Sequence, residues 1–467
     1  MRRTSVLVSS LAALIAGAAS LHAAEGGAGM STEQSSEQLP GSKFSVGQQR
    51  QVVIRGLLDF DVINRGRYLT GNANESDHDG AGNIRAEFGT SVKLDERVKV
   101  NLTFAYEAPS GDNTADSSNP NDRSGFAVVD DAYVEFKEFL GFESVGVLVG
   151  RMPVSWNLRE GHGAFLYDSA SNHPRVTSWD GGRATWNAID TIDITPFGYS
   201  LPGANTLAGV GVDWKPAKSG DSRTFITGLI SYERKPPTRE VSPILSKDSS
   251  IVLVDGVAGD KLLTYSGGFD FQLGDVDFFG EVALQNGDYT DSISYGGYGG
   301  YAGLDWHLYP AQALVVGAQF EAMSGNEGSP TSTGKYRAFV NNWEGVSDTL
   351  IVESERYGEL SKLLTGADAY GLEDMKLKVG VAFDDRNKVR LNLIYGYYRT
   401  AQATPNDGRT FGQEGDISLA WQYTYNTTIK LFGGGFLPGT AYTAVSPSAN
   451  PGTDLIYCMG INLAVIF

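Results

Sequence analysis

The chain closes on Tyr457-Cys-Met-Gly-Ile-Asn-Leu-Ala-Val-Ile-Phe467. Counting back from Phe467, every second residue is apolar and mostly large: Val465, Leu463, Ile461, Met459 and Tyr457. The alternate set, Ile466, Ala464, Asn462, Gly460 and Cys458, is smaller or more polar apart from Ile466. A strict period of two describes a strand with two different faces. Soluble domains seldom finish on such a strand, because termini fray into water. A closed membrane barrel requires one: one face meets hydrocarbon, and the last strand pairs with the first so that no edge remains. The competing reading is the last strand of a soluble sandwich.

The other end of the chain agrees with export. Arg2 and Arg3 precede an apolar, Ala-rich run from Ser5 to Ala19, and Ala23 and Ala24 offer small residues for cleavage. This pattern reads as a secretory signal over residues 1–24. Residues 25–50, rich in Gly, Ser, Glu and Gln, read as a flexible polar leader. Residues 51–467 are then the barrel.

Composition narrows the class. The formal net charge of −18 speaks against a nucleic-acid partner. The sequence holds 58 glycines, 22 tyrosines and 22 phenylalanines, which suits curved sheets with aromatic girdles. After the signal no continuous apolar run is long enough for a spanning helix, so insertion must use strands. Cys458 is the single cysteine, so no internal disulfide and no cysteine-based zinc site can form.

Alternation recurs along the chain. Val98, Val100, Leu102, Phe104 and Tyr106 interleave with Lys99, Asn101, Thr103, Ala105 and Glu107. Similar patterns cover 375–383, 389–398 and 417–424. Short turns near Leu94–Arg97, Gly274–Asp275 and Tyr425–Thr427 alternate with long polar stretches such as 64–82, 108–125, 234–260 and 325–373. Periplasmic turns and external loops produce this short-long rhythm. The pattern predicts an all-β, antiparallel up-and-down transmembrane barrel of about 16 strands. The stretch 152–204 is too long for an ordinary loop, and Ala184–Ile194 within it has strand character. A hidden hairpin there would raise the count to about 18.

Assigning the apolar phase to lipid turns the other phase inward. The pore-lining candidates are then Arg55, Asp59, Arg85, Glu87, Lys99, Asp131, Glu135, Lys376, Lys378 and Arg390. So many inner charges imply a hydrated interior. The inserted stretch adds Arg151, Arg159, Arg175 and Arg183, together with Trp156, Phe165, Tyr167 and Trp179. Guanidinium forks and flat rings suit a constriction that handles polar solutes, although an external loop with solvated charges has the same composition. The acidic stretches 72–80 and 112–122 lack calcium-loop spacing and read as solvated loops, so no metal or other cofactor is expected. Catalytic patterns are absent from the sequence apart from His307 beside Asp305.

Two segments carry a family resemblance. Asp131-Ala132-Tyr133-Val134-Glu135-Phe136, a short turn, and Val147-Leu148-Val149-Gly150-Arg151 followed by a long loop resemble the alginate-export family and related substrate-type outer-membrane porins. That resemblance implies an 18-stranded barrel with a pore lined by Arg and Lys that passes an anionic polysaccharide. The acid-rich inner face argues against alginate itself.

The combined expectation is an outer-membrane channel for small hydrophilic solutes or ions that performs no chemistry. A barrel hydrolase and a structural or adhesive barrel are the alternatives. Its expected partners are outer-membrane lipid and lipopolysaccharide, the solutes, and the barrel-assembly machinery acting on Tyr457–Phe467. A homo-oligomer is an open option.

Overall fold

The computed structural model describes residues 42–46, 50–67, 71–72, 78–110, 126–156, 165–169, 178–201, 205–216, 224–234, 261–290, 293–309, 313–326, 334–340, 348–354, 360–364, 370–383, 388–404, 408–446 and 450–467. The strands, in chain order, begin with β1 (Ser42–Val46), β2 (Arg50–Gly66), β3 (His78–Lys93), β4 (Val98–Ser110), β5 (Phe126–Phe136), β6 (Val145–Met152) and β7 (Trp179–Ile189). They continue with β8 (Ile192–Leu201), β9 (Asn205–Trp214), β10 (Thr224–Arg234), β11 (Lys261–Leu273), β12 (Val276–Thr290), β13 (Ile293–Tyr295) and β14 (Tyr298–Tyr309). The remainder are β15 (Leu314–Met323), β16 (Lys335–Tyr336), β17 (Leu372–Ala382), β18 (Val389–Arg399), β19 (Thr410–Thr424), β20 (Thr427–Pro438) and β21 (Ile456–Ile466).

Eighteen of these strands form one closed antiparallel barrel; β1, β13 and β16 are accessory. The two additional strands beyond the expected 16 come from the stretch 152–204. Within it β7 and β8 form a hairpin about the turn at Asp190–Thr191, and 153–178 lies between β6 and β7.

Closure is made by the terminal strand that the alternation singled out. β21 pairs with β2 from Leu57↔Ile466 to Gly66↔Tyr457. At the end of the ladder the backbones of Gly56 and Phe467 exchange two hydrogen bonds, N–H to O at 2.6 and 3.0 Å. The Phe467 ring lies where a Cβ on Gly56 would sit, within 2.4 Å, so glycine is required there. β1 then takes up the edge of β2 next to the C-terminus, pairing Ser42↔Ile54 to Val46↔Arg50. Both edges of β21 are paired, with β20 on one side and β2 on the other.

The two faces separate as the alternation demands. On β4, Leu102, Phe104 and Tyr106 are exposed outward, whereas Asn101, Thr103 and Ala105 are buried inside. The same division holds for Val282 and Leu284 against Glu281, Ala283 and Gln285 on β12. It holds again for Ile417, Leu419 and Trp421 on β19 against Glu414 and Asp416. Outward aromatics cluster toward the strand ends: Trp186, Trp214, Trp306 and Trp421 at the short-turn end, and Tyr106, Tyr232 and Tyr298 toward the long-loop end. Two such girdles bracket the apolar band of an outer-membrane barrel.

Candidate functional site

The space inside the barrel is crossed by two segments from the long loops. The first spans 153–156 and 165–169. Trp156 N–H donates to the Tyr167 carbonyl at 2.8 Å, and Ser169 N–H donates to the Val154 carbonyl at 2.7 Å, so the two halves zip together. Val154, Trp156, Phe165, Leu166 and Tyr167 are all buried. Trp156 packs on Phe197 at 6.3 Å and lies against the wall at Gly211, where a Cβ would come within 1.9 Å of the indole. Glycine at that inward position on β9 is what lets the ring reach the backbone. Phe165 stacks on Phe339 at 5.3 Å and meets Tyr301 edge-on at 5.5 Å. The Tyr167 hydroxyl sits 2.8 Å from Ser231 Oγ. Burial, and next the charge of Glu233, push that phenol's pKa upward.

The second segment is Asp348–Ser354, which carries the apolar run Leu350-Ile351-Val352 into the interior. Its backbone is held by acids on the wall. Glu414 accepts from Ile351 N–H at 2.6 Å and from Val352 N–H at 2.9 Å, and Asp416 accepts from Leu350 N–H at 3.0 Å. The hydroxyls of Thr349 and Tyr398 are 2.9 Å apart. Lys376 is fully buried and sits among four carboxylates. Its Nζ is 3.3 Å from Glu321, 3.3 Å from Asp348 and 3.7 Å from Asp374, and it also contacts Glu353. Lys378 adds a bond of 2.6 Å to Asp348 and one of 3.2 Å to Gln319. Oxygens of Glu321, Glu353 and Asp374 lie within 4.8 Å of one another, close enough to share a cation. The Lys376 ammonium meets all three, so a side chain supplies the counter-charge.

The remaining sequence candidates fall into two groups. On β2–β5 an inner charge lattice forms. Arg85, buried, donates to Glu87 at 2.5 Å and to Asp130 at 2.7 Å. Arg55 donates to Thr103 at 3.3 Å and lies 3.9 Å from Asp131, which also accepts from Ser178 at 2.7 Å. Lys99 and Lys137 flank Glu135 at 3.8 and 3.6 Å. Asp59 is buried on the same inner face. Arg183 is buried inside β7, in register with Leu148 and Phe197. Arg390 is half-buried near the short-turn end of β18. Asp130 was not an expected inner residue. The register shifts there, from Thr103↔Asp131 to Phe104↔Val129, and this bulge turns two consecutive carboxylates inward.

Three expectations need correction or restriction. Arg151 does not face the interior. It pairs across strands with Asp180, and both stand on the outward face with Val149 and Trp186, while Trp179 and Arg183 point in. The reason is phase: Ala132, opposite Arg151, is outward because its neighbour Tyr133 is buried inside. The inner charges also do not line an open water column, because Asp61, Asp270, Glu281, Glu321, Asp374 and Glu414 are nearly fully covered. Ser266 meets Glu281, Lys376 meets Glu321 and Asp374, and the Ile351–Val352 backbone meets Glu414. Arg159 and Arg175 lie outside the described residues.

His307, the one modest catalytic candidate, places its Nε2 3.0 Å from Asp277 Oδ2 rather than serving Asp305. The inward loop at Leu350–Val352 had a readable signal: an apolar triple inside a polar loop must find cover. Glu414 and Asp416 shared the phase of Ser418 on β19 and were legible as inward, but their partners were not.

No protein-family model matches the chain, and no curated protein matches it. Its fold is that of solved outer-membrane barrels. OpdK of Pseudomonas aeruginosa, crystallised with vanillate, matches at a TM-score of 0.55 and 10% identity, over 90% of this chain and 98% of that one. P. aeruginosa OccK8 (OprE) matches at 0.52 and 13% identity, over 90% and 98%. P. aeruginosa OccD3 (OpdP) matches at 0.53 and 10%, over 92% and 94%. At such identities the likeness is one of architecture.

Proposed function

We propose that this chain is a bacterial outer-membrane porin that passes small hydrophilic solutes, and that it performs no chemistry of its own. The observation that carries the reading is a closed 18-strand barrel, apolar outside, whose charged inner face is narrowed by segments folded in from the loops. Apolar side chains facing outward on every side have no place in water, and charges held inside need polar surroundings. Barrels of this strand number enclose a channel, and inward loops then set its bore.

We place the solute's route along the partly exposed charges Arg55, Glu87, Lys99 and Asp131 of the β2–β5 wall, with Arg85, Glu135 and Arg183 buried among the groups of the β2–β7 wall. Asp59 and Arg390 stand along the same route, and Lys376 and Lys378 hold the opposing segment in place. Arg159 and Arg175, neighbours in sequence of the described residues 153–156 and 165–169, remain candidates for the constriction. The likeness to OpdK, which was crystallised with an aromatic carboxylate, supports small organic solutes as the class.

Reconstitution of the mature chain in planar bilayers tests the reading. Discrete conductance steps are expected, with a reversal potential in a salt gradient that shifts when Arg85 is replaced by alanine. A correctly folded barrel that never conducts would overturn it.

A further inference from the structure

The inner wall from β14 to β18 carries two acids face to face. Glu321 on β15 and Asp374 on β17 are directly opposite each other in the ladder, with Tyr301 and Tyr398 as their other cross-strand neighbours. Like charges in that position repel. Their side chains are 2% and 0% exposed, so solvent screens the repulsion little. The inward segment brings Asp348 and Glu353 to the same place, where both meet Lys376.

Lysine side chains answer only part of this charge. Among the described residues, Lys376 and Lys378 are the two ammoniums in contact with the four carboxylates. Two negative charges are left over, in surroundings where an uncompensated charge is costly. The contacts of Lys376 are also one-sided. It reaches Glu321 through Oε2 at 3.3 Å and Asp374 through Oδ1 at 3.7 Å. Glu321 Oε1 and both oxygens of Asp374 are buried without a hydrogen-bond donor among the described residues. Asp374 is therefore a fully covered carboxylate whose hydrogen-bonding capacity is unused, which buried polar groups rarely are.

We propose that Glu321, Asp374 and Glu353 form a divalent-cation site, suited to Ca²⁺, that ties the inward segment Asp348–Ser354 to the barrel wall. Oxygens of the three lie within 4.8 Å of one another, a spread that ligands of one ion, each bound at about 2.3–2.6 Å, can span. The charge of the ion equals the two charges left over. Lys376 keeps its contacts with Glu321 Oε2 and Asp374 Oδ1, and the ion takes the oxygens that it leaves. Ca²⁺ suits this place better than Mg²⁺, which gives up its water reluctantly and demands near-octahedral geometry. Glu321 and Asp374 belong to the wall and Glu353 to the segment, so occupancy pins the segment that narrows the lumen. The bore of the barrel then depends on the supply of divalent cation.

The test uses the full mature chain, folded in mild detergent and stripped with EDTA, with Tb³⁺ as the probe for a Ca²⁺ site. Tyr301 and Tyr398 stand beside Glu321 and Asp374 in the ladder and can sensitise its emission. Wild type should give a saturable, tyrosine-excited signal that Ca²⁺ displaces. Removing a group that merely supports a metal ligand weakens metal sites by about 10–100-fold. Asp374→Asn and Glu353→Gln, which each lose a ligand charge, should therefore weaken Tb³⁺ by at least about tenfold. Asp288→Asn is the control for surface acids, because that side chain is 65% exposed and pairs with Lys261 at a strand end. It should bind as wild type does. Hydrogen exchange gives the second readout: saturating Ca²⁺ should slow the amides of Leu350–Val352 in wild type and leave them unchanged in Glu353→Gln.

Should Asp374→Asn fail to fold, Glu353→Gln decides alone, because Glu353 lies on the inward segment and not in a barrel strand. A folded wild type with no Ca²⁺-displaceable Tb³⁺ signal would overturn the proposal and leave a proton shared between Glu321 and Asp374 as the answer to their repulsion. Binding as tight in Glu353→Gln as in wild type, or exchange at Leu350–Val352 that ignores Ca²⁺, would overturn it too. Binding needs the folded barrel and not conduction. A barrel that conducts but binds no cation refutes the site and leaves the channel standing, and a silent barrel that binds Ca²⁺ does the reverse.

Discussion

Glu414→Ala should free the inner segment Asp348–Ser354 while leaving the barrel intact. The Glu414 carboxylate, 1% exposed, accepts from Ile351 N–H at 2.6 Å and from Val352 N–H at 2.9 Å. A hydrogen bond to a charged group contributes about 1.5–3 kcal/mol, so the two together bound the local loss at about 3–6 kcal/mol. Coupling lowers that figure, because Asp416 still holds Leu350 N–H at 3.0 Å and the two acids share one face. The lower end, about 3 kcal/mol, corresponds to roughly a hundredfold at about 1.4 kcal/mol per decade. Global melting is a poor readout here, because removing one of two neighbouring buried acids also relieves their repulsion. Hydrogen exchange followed by mass spectrometry resolves the local effect. The amides of Ile351 and Val352 should exchange about a hundredfold faster than in wild type, with β19 and β20 unchanged. Glu414→Gln, which keeps one acceptor oxygen, should fall between. If both amides exchange at the wild-type rate in a folded Glu414→Ala barrel, the acids do not anchor the segment and the account of the lumen is wrong.

Lys376→Met removes the ammonium shared by Glu321, Asp348, Glu353 and Asp374 and should cost about 3–5 kcal/mol, read as a lower denaturation midpoint in detergent. A midpoint equal to wild type would show that the carboxylates do not depend on it. Gly211→Val drives a side chain into the Trp156 ring and should destabilise by about 1–3 kcal/mol, with faster proteolysis within 153–169; unchanged cleavage there would contradict the packing. Deleting Phe467 removes both backbone bonds to Gly56 and the ring over that glycine. The yield of heat-modifiable barrel in vesicles should drop, and an undiminished yield would mean that closure does not need the last residue.

What the amino-acid order revealed, and what it concealed, divides along a physical line. Where one phase is apolar and the other is not, the face of each residue is determined locally: Leu102, Phe104 and Tyr106 could go only outward, and Asn101 and Thr103 only inward. That criterion fails on β6, where Val147, Leu148 and Val149 are apolar in both phases, so Arg151 carried no phase of its own. It fails at Asp130, because one inserted residue reverses the alternation and a bulge leaves no mark in composition. It also fails for contacts between distant segments. Lys376 and Lys378 read as two like charges facing water, and nothing near them in sequence announces Asp348 and Glu353. Placing those acids requires the loop to turn inward, and the only local hint is the apolar triple Leu350-Ile351-Val352. The same logic explains why bore size escaped the reading. Strand number sets the width of the wall, but the free passage is what remains after Trp156, Phe165 and Ile351 are buried inside it. Side chains that leave a polar loop to pack against an inner wall are chosen by tertiary fit, which periodicity cannot encode. A channel of this kind is therefore specified twice: once by alternation, which builds the cylinder, and again by loop residues whose inward partners are known only when the cylinder exists.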